Sequence, residues 1–424
     1  MLSIQRRLTS GFYMLLSLPA TAMGFALSVQ ISALSWILTT QFNLDIHEVG
    51  LVWAAGPLAG IFGQVIIGLI SDKVWFWSGR RRPFILIGGF LAALMLLALP
   101  NIGFIHEATG VAIIFVAVTV ALTLDLAINI SFNPTRSVIA DVTPEGNPRT
   151  KGYTWMQTIS GFFGVLAYFI GAQYGNITLI YLSVFLVLAF SLIPPFFITE
   201  PRELETAKTS DDPQETVTHQ TEWMELIKLY VAHGFSWLGI QAVFVYIIAF
   251  IQQKMPGLGD AGTGQVISYS FLVMNFVGFL FPAFILEPVA ERIGRVWTHT
   301  LAVALMAIGY FGVIFYATTP MVLYALMALI GIGWAAVVSL PFAIMSEKVD
   351  KSRMGFFMGI FNLSVVIPQL LVSLLVGAWI QSSDDKASLF WFAAVTLSVS
   401  AMLWLLVKEP RRSSGPSVPG SGGH

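Results

Sequence analysis

Long apolar runs, broken by short polar connections, recur from one end of the 424-residue chain to the other. A helix needs about 20 mainly apolar residues to cross a bilayer. Runs suited to that length fall at 11–40, 49–71, 83–101, 110–135, 152–174, 177–199, 225–252, 264–286, 297–316, 320–345, 354–380 and 387–407. No even series of short alternating strands suggests a barrel, and backbone amides in hydrocarbon must be satisfied within each segment, as a helix does. The pattern predicts an all-α membrane protein with twelve transmembrane helices.

Composition sharpens this. Hydrophobic residues make up 56% of the chain and charged residues 11%, against about 25% charged in soluble domains. The mean hydropathy is +0.79. No cysteine is present, so disulfides and thiolate metal sites are excluded. The first apolar run is too long for a cleavable signal peptide and reads as a permanent helix. Nineteen of the 22 Lys and Arg residues fall in connections sharing one side, Lys254 and Lys386 fall on the other, and Arg136 lies near the end of its span. Positive charge is retained on the cytoplasmic side, so both termini are expected there. The net charge of −1 adds nothing about partners; the lipid bilayer is one, and no nucleic acid is expected.

The one long polar interruption, Thr199 to Glu222, divides the chain. The expected organisation is an N-terminal six-helix bundle over 1–199, a cytoplasmic linker over 200–222, a C-terminal six-helix bundle over 223–408 and a disordered tail over 409–424. Loops repeat between the two parts. Gly68–Pro83 and Glu287–Arg295 each run acid, base, Gly, base, while Pro134–Gly152 and Leu340–Gly355 each run Pro, apolar stretch, acid, Arg, Gly. Pseudo-symmetric repeats of this kind build alternating-access transporters. The acids and bases, Asp72, Arg80, Arg81 and Asp141 in the first part and Glu291, Arg295 and Glu347 in the second, are candidates for gating. A carboxylate at a helix end can bond backbone N–H groups or Arg side chains of the opposite bundle.

The stretch LDLAINISFNPTRSVIAD, Leu124 to Asp141, carries charge inside an apolar run. Steps of three or four residues place Asp125, Asn129, Phe132 or Asn133, and Arg136 on one helix face. A charge near mid-bilayer costs at least about 2.5–3.5 kcal/mol on insertion scales, so such a stripe faces a bundle interior or a wet cavity. Asp125 is the natural proton site, because the charge of a carboxyl responds to desolvation and to nearby cations, both of which change with exposure. Arg136, about 16 Å further along the axis, keeps its proton and suits hydrogen bonding to substrate oxygens. The bland alternative is an interfacial Arg with its head in water. Pro134 removes a backbone donor and can kink the helix.

Further polar groups lie among apolar neighbours: Gln30, Gln64, Gln157, His233, Gln241, Asn275, Asn362 and Gln369, with Trp53, Trp155, Trp237 and Trp334. Amides donate and accept, and indole offers a flat apolar face with one donor. That chemistry suits a neutral polyhydroxylated solute, and Trp53, Gln64, Asn129, Asn133, Arg136, Gln157, Trp237 and Gln241 are the candidate substrate contacts. A lone His such as His233 is more often structural than a relay. The phosphate-cradling GxxxxGK[ST] loop, the HExxH zinc pattern and the nucleophile elbow are absent, so neither ATP-driven pumping by this chain alone nor enzymatic chemistry is expected.

WAAGPLAG (Trp53 to Gly60), GLISDK with GRRRPFI (Gly68 to Ile85), LDLAINISFNPTRSVIAD, HGFSWLG (His233 to Gly239) and SLPFAIMSE (Ser339 to Glu347) resemble the major facilitator superfamily. Within it they resemble the glycoside-pentoside-hexuronide group, especially the branch of plant sucrose/proton symporters and their bacterial relatives. The resemblance implies that Asp125 couples a proton and Arg136 recognises sugar. It implies a secondary transporter that imports an α-glucoside disaccharide such as sucrose or maltose by symport, with the proton as coupling ion and no cofactor or metal. A single Asn129 stands where plant members carry two consecutive Asn residues, so contacts there can differ. Short loops suit a bacterial inner membrane, and a monomer is expected. The competing readings are a proton-antiporting exporter of amphipathic compounds, which the same fold supports, and a sugar sensor.

Overall fold

The computed structural model describes residues 3–61, 70, 74–77, 79–144, 147–201, 222–349 and 354–409. Among these, ten helices are long and apolar enough to cross a membrane: α1 (Ser10–Thr40), α3 (Arg82–Thr109), α4 (Ile113–Val142), α5 (Lys151–Tyr174), α6 (Asn176–Phe197), α7 (Trp223–Lys254), α8 (Gly259–Phe281), α9 (Arg295–Tyr316), α10 (Pro320–Met345) and α11 (Ile360–Ser382). Two shorter apolar helices, α2 (Ile46–Ile61) and α12 (Ser388–Trp404), accompany them. Each of the twelve expected runs coincides with one of these helices, but ten meet the length criterion. Residues 62–69, which continue the apolar run after α2, lie outside the described residues.

Local sequence explains the boundaries. Asp45 accepts the Glu48 N–H at 2.8 Å and the Glu48 carboxylate accepts the Asp45 N–H at 3.0 Å, a capping box that starts α2. The spacing predicts an end to α4 near residue 135, but the helix continues through Pro134 to Val142, so Arg136 and Asp141 are helical. Proline is tolerated inside membrane helices because neighbouring groups re-satisfy the freed backbone.

With no hydrophobic drive between helices in lipid, small and polar residues hold them together. Thr21 and Ser160 join α1 to α5 through their hydroxyls at 3.1 Å, and Ser236 and Ser400 join α7 to α12 at 2.7 Å. In the first sequence half α1 packs on α5 and α6, and α3 on α4 and α6; in the second, α7 packs on α11 and α12, and α9 on α10 and α12. Phe104, Phe196, Phe284 and Met321 turn outward with 70–74% exposure. Apolar surface of that kind belongs against lipid, and the chain is an integral membrane protein.

The two sequence halves meet tightly at the end away from the basic loops. Ser32 and Ser268 share a hydrogen bond of 2.7 Å, and their hydroxyls lie 3.3 and 3.0 Å from the Asn176 side-chain oxygen, which accepts from whichever of the two does not donate to the other. The Ser35 hydroxyl donates to the Val245 carbonyl and the Trp36 indole to the Asp260 carbonyl, each at 2.7 Å. Alongside, α2 packs on α11, and the His47 N–H reaches Gln381 Oε1 at 2.9 Å.

Candidate functional site

Asp125 lies in α4 with 7% exposure, and its Oδ1 accepts a hydrogen bond from Gln30 Nε2 on α1 at 3.1 Å. One turn on, Asn129 donates from Nδ2 to the Asp125 backbone carbonyl at 2.8 Å, as the spacing predicts. Gly56 on α2 leaves room for the carboxyl: a Cβ there would stand 3.2 Å from Asp125 Oδ2. Among the described residues no Lys, Arg or His pairs with Asp125. A buried carboxylate without a counter-charge is expensive.

Arg136, at the other end of the same stripe, holds its guanidinium 4.1 Å over the Phe132 ring. Its side chain is exposed, and among the described residues it forms no ion pair. An aromatic face steadies the cation without using its N–H fork. Asn133 beside Phe132 is half-buried. The three-to-four-residue stripe in the sequence is thus a physical face carrying an acid at mid-helix and a base near the helix end.

The second half contributes an aromatic wall. Trp237 and Trp334 stand edge to face with ring centroids 5.9 Å apart and planes at 80°. Each indole N–H is taken within the protein, Trp237 by His233 Nε2 at 3.0 Å and Trp334 by Asn275 Oδ1 at 3.1 Å. The Trp53 N–H likewise goes to Ser35 Oγ at 2.8 Å. The sequence suggests one donor and one flat face per indole; the geometry leaves only the face. His233 is stacked on Phe361 at 4.9 Å and 17°, in keeping with the structural role favoured from sequence. Gln241, one turn beyond Trp237, is 3% exposed and has no hydrogen-bond partner among the described residues. Gln157 on α5 is exposed, and Gln64 lies outside the described residues. An apolar cleft of about 450 Å³ between α5 and α8 contains none of the candidate residues; its walls include Phe162, Phe169 and Phe276.

At the basic end, Arg81 Nε pairs with Asp141 Oδ2 at 3.1 Å. This pair joins two segments of the same sequence half. The backbone N–H groups of Arg80, Arg81 and Arg82 converge at 2.7–2.8 Å on the carboxylate of Glu200, which caps α3. In the second half the Arg295 and Val296 N–H groups converge on Glu409 at 2.6 and 2.9 Å, at the start of α9. Sequence reasoning expects carboxylates at these helix ends but assigns others. The missed signal is a short repeat, Glu200-Pro201-Arg202 and Glu409-Pro410-Arg411. Glu291 is exposed on the short helix Glu287–Ile293. Asp72 lies outside the described residues, as does the side chain of Glu347 at the end of its helix.

Apolar helices around a buried acid and a polar helix stripe define a polytopic membrane transporter. The family model of the Major Facilitator Superfamily matches residues 16–373 and 274–422, and the chain belongs to that superfamily. It is a transporter and not an enzyme. A sucrose transport protein of Arabidopsis thaliana is 22% identical, with 85% of this chain and 82% of that protein covered. A general alpha-glucoside permease of Schizosaccharomyces pombe is 29% identical over a shorter stretch, 37% of this chain and 31% of its own. Among solved structures, a mutant of the nucleoside transporter NupG superposes with a TM-score of 0.75 at 13% identity, covering 94% of this chain and all of that one. That likeness is one of fold.

Proposed function

We propose that the chain is a proton-coupled sugar importer, built as twelve transmembrane helices in two pseudo-symmetric six-helix bundles over 1–199 and 223–408, joined by the linker 200–222. Its substrate is an α-glucoside disaccharide such as sucrose or maltose. The observation that carries this reading is Asp125, a buried carboxyl held by an amide and paired with no cation among the described residues, on the helix face that also presents Arg136. The sugar chemistry is supported by the sucrose and alpha-glucoside relatives and by the set of groups available. Arg136 and Gln241 meet hydroxyl and ring oxygens, while Trp237 and Trp334 offer apolar faces to sugar C–H surfaces.

Both termini and the basic loops are cytoplasmic in this reading, in a bacterial inner membrane, and the chain works as a monomer. The contacts of Ser32, Ser35 and Trp36 with the second half at the opposite end then form a closed outer gate. Proton and sugar enter from outside with that gate open; closure commits them to the inside, where sugar leaves and Asp125 gives up its proton. The carrier returns empty.

The test is uptake of radiolabelled sucrose and maltose by proteoliposomes under an imposed inward proton gradient. Concentrative uptake that an uncoupler collapses supports symport; accumulation insensitive to the uncoupler sinks it. A second prediction concerns Arg136. Lysine keeps the charge but loses the planar fork, so Arg136→Lys should weaken sugar binding by roughly 10- to 100-fold, the loss of a charge-assisted hydrogen bond of about 1.5–3 kcal/mol. Binding calorimetry of the purified variant checks it; unchanged affinity removes Arg136 from the sugar site.

A further inference from the structure

Helix α1 changes its winding once. Ser10–Val29 and Ser35–Thr40 are α-helical, and the five residues between them, Gln30–Leu34, form a π-turn. The sequence of that turn, QISAL, holds no Pro or Gly to impose it. Such single turns are intrinsically unfavourable and persist where tertiary contacts hold them, often at functional sites. Here the contacts come from two directions. Gln30 donates to the Asp125 carboxylate at 3.1 Å. Two residues on, Ser32 bonds to Ser268 and Asn176, and Ser35 directly after the turn bonds to Val245. One extra residue rotates the helix segment after the turn by about 100° relative to the segment before it. Loss of the turn therefore swings Ser32 and Ser35 away from their partners.

We propose that Gln30 is the positioning residue that ties the proton on Asp125 to the outer gate, through the π-turn at 30–34. The proposal rests on the proton-coupled reading of Asp125. An ionised carboxylate only accepts, so it holds the Gln30 N–H₂ and with it the turn that closes the gate. A protonated carboxyl keeps a carbonyl oxygen but loses its charge, so its hold on the Gln30 N–H₂ falls from a charge-assisted hydrogen bond to a weaker neutral one. Protonation thus loosens the turn and favours an open outer gate, the state that captures sugar from outside. By linkage, the open state binds the proton more tightly than the closed one. Other titratable groups on elements packed against α4 are Tyr13 on α1, His47 and Glu48 on α2, Arg82, His106 and Glu107 on α3, and Lys151, Tyr153, Tyr168 and Tyr174 on α5; α4 itself carries Arg136 and Asp141. None of them bonds to Asp125.

The chain's lack of cysteine permits a direct measurement. Spin labels at Gln41→Cys and Ala261→Cys, exposed positions in the two halves at the gate end, report gate opening by pulsed electron resonance without depending on thiol reactivity at the measuring pH. In the otherwise unchanged protein without sugar, acidification from about pH 8 to about pH 5 should enlarge the long-distance population several-fold. Gln30→Met keeps volume and helix propensity but cannot bond to the carboxyl, and should leave the distribution the same at every pH. Gln30→Ala is the second variant should Met disturb packing, and sugar exchange by either variant establishes folding. A pH-dependent opening that survives in both variants, or none in the parent, overturns the proposal. Proton-driven uptake is measured separately: its presence alongside a pH-independent gate rejects the role of Gln30 alone, and its absence rejects the symport reading.

Discussion

Asp125→Asn should abolish accumulation of sugar in a proton gradient while leaving sugar exchange intact. Asparagine nearly matches aspartate in shape and can still accept the Gln30 amide through its oxygen, so the helix packing around residue 125 is retained. What disappears is the ability to gain and lose a proton. One pH unit across the membrane supplies about 1.4 kcal/mol per proton, enough for roughly tenfold accumulation at one proton per sugar. The variant should reach equal concentrations inside and out whatever the gradient. Counterflow, in which labelled sugar exchanges for unlabelled sugar with no net proton movement, should continue at a rate near that of the parent. Loss of both activities with normal sugar binding would instead assign Asp125 to the moving parts of the gate.

A methyl group at Gly50 should open that gate. Gly50 lies in α2, where an added Cβ would stand 2.3 Å from the Tyr246 hydroxyl oxygen and 2.5 Å from the Ser373 carbonyl oxygen. The Tyr246 hydroxyl is itself held by the Val372 and Ser373 carbonyls at 3.2 and 3.3 Å, so it cannot retreat without breaking a buried hydrogen bond. Alanine favours an α-helix over glycine by about 0.8–1.0 kcal/mol, so any loss of the closed state comes from the contact and not from the backbone. Overpacking of this kind costs typically about 1–3 kcal/mol, which shifts the closed-to-open ratio roughly 5- to 150-fold toward open. The distance between labels at 41 and 261 should lengthen at all pH values, and net uptake should fall because the outer gate no longer closes behind the sugar. An unchanged distance distribution would show that Gly50 is not at a moving contact.

The polar stripe of α4 was legible because helical periodicity alone brings Asp125, Asn129 and Arg136 to one side, and a charge in an apolar run demands a reason. Most helix ends were legible from hydropathy to within a few residues, although α3 and α4 run on to Thr109 and Val142 where their apolar runs were expected to end at 101 and 135. The partners across helices were not legible. That Gln30 reaches Asp125 depends on a π-turn for which the sequence QISAL carries no local signal. That the Trp53, Trp237 and Trp334 N–H groups are used internally depends on Ser35, His233 and Asn275, two of them on other helices. Glu200 and Glu409 were within reach, since Glu-Pro-Arg recurs at the end of each half; hydropathy reading passed over them as linker and tail.

The most direct test of proton-coupled sugar import through Asp125 is the external pH of a lightly buffered suspension of proteoliposomes when sucrose or maltose is added without an imposed gradient. Sugar entry should make the medium transiently more alkaline, an uncoupler should erase the change, and Asp125→Asn should show sugar equilibration with no pH change. Sugar entry through the unaltered protein with no alkalinisation, or alkalinisation that persists in Asp125→Asn, would contradict the account.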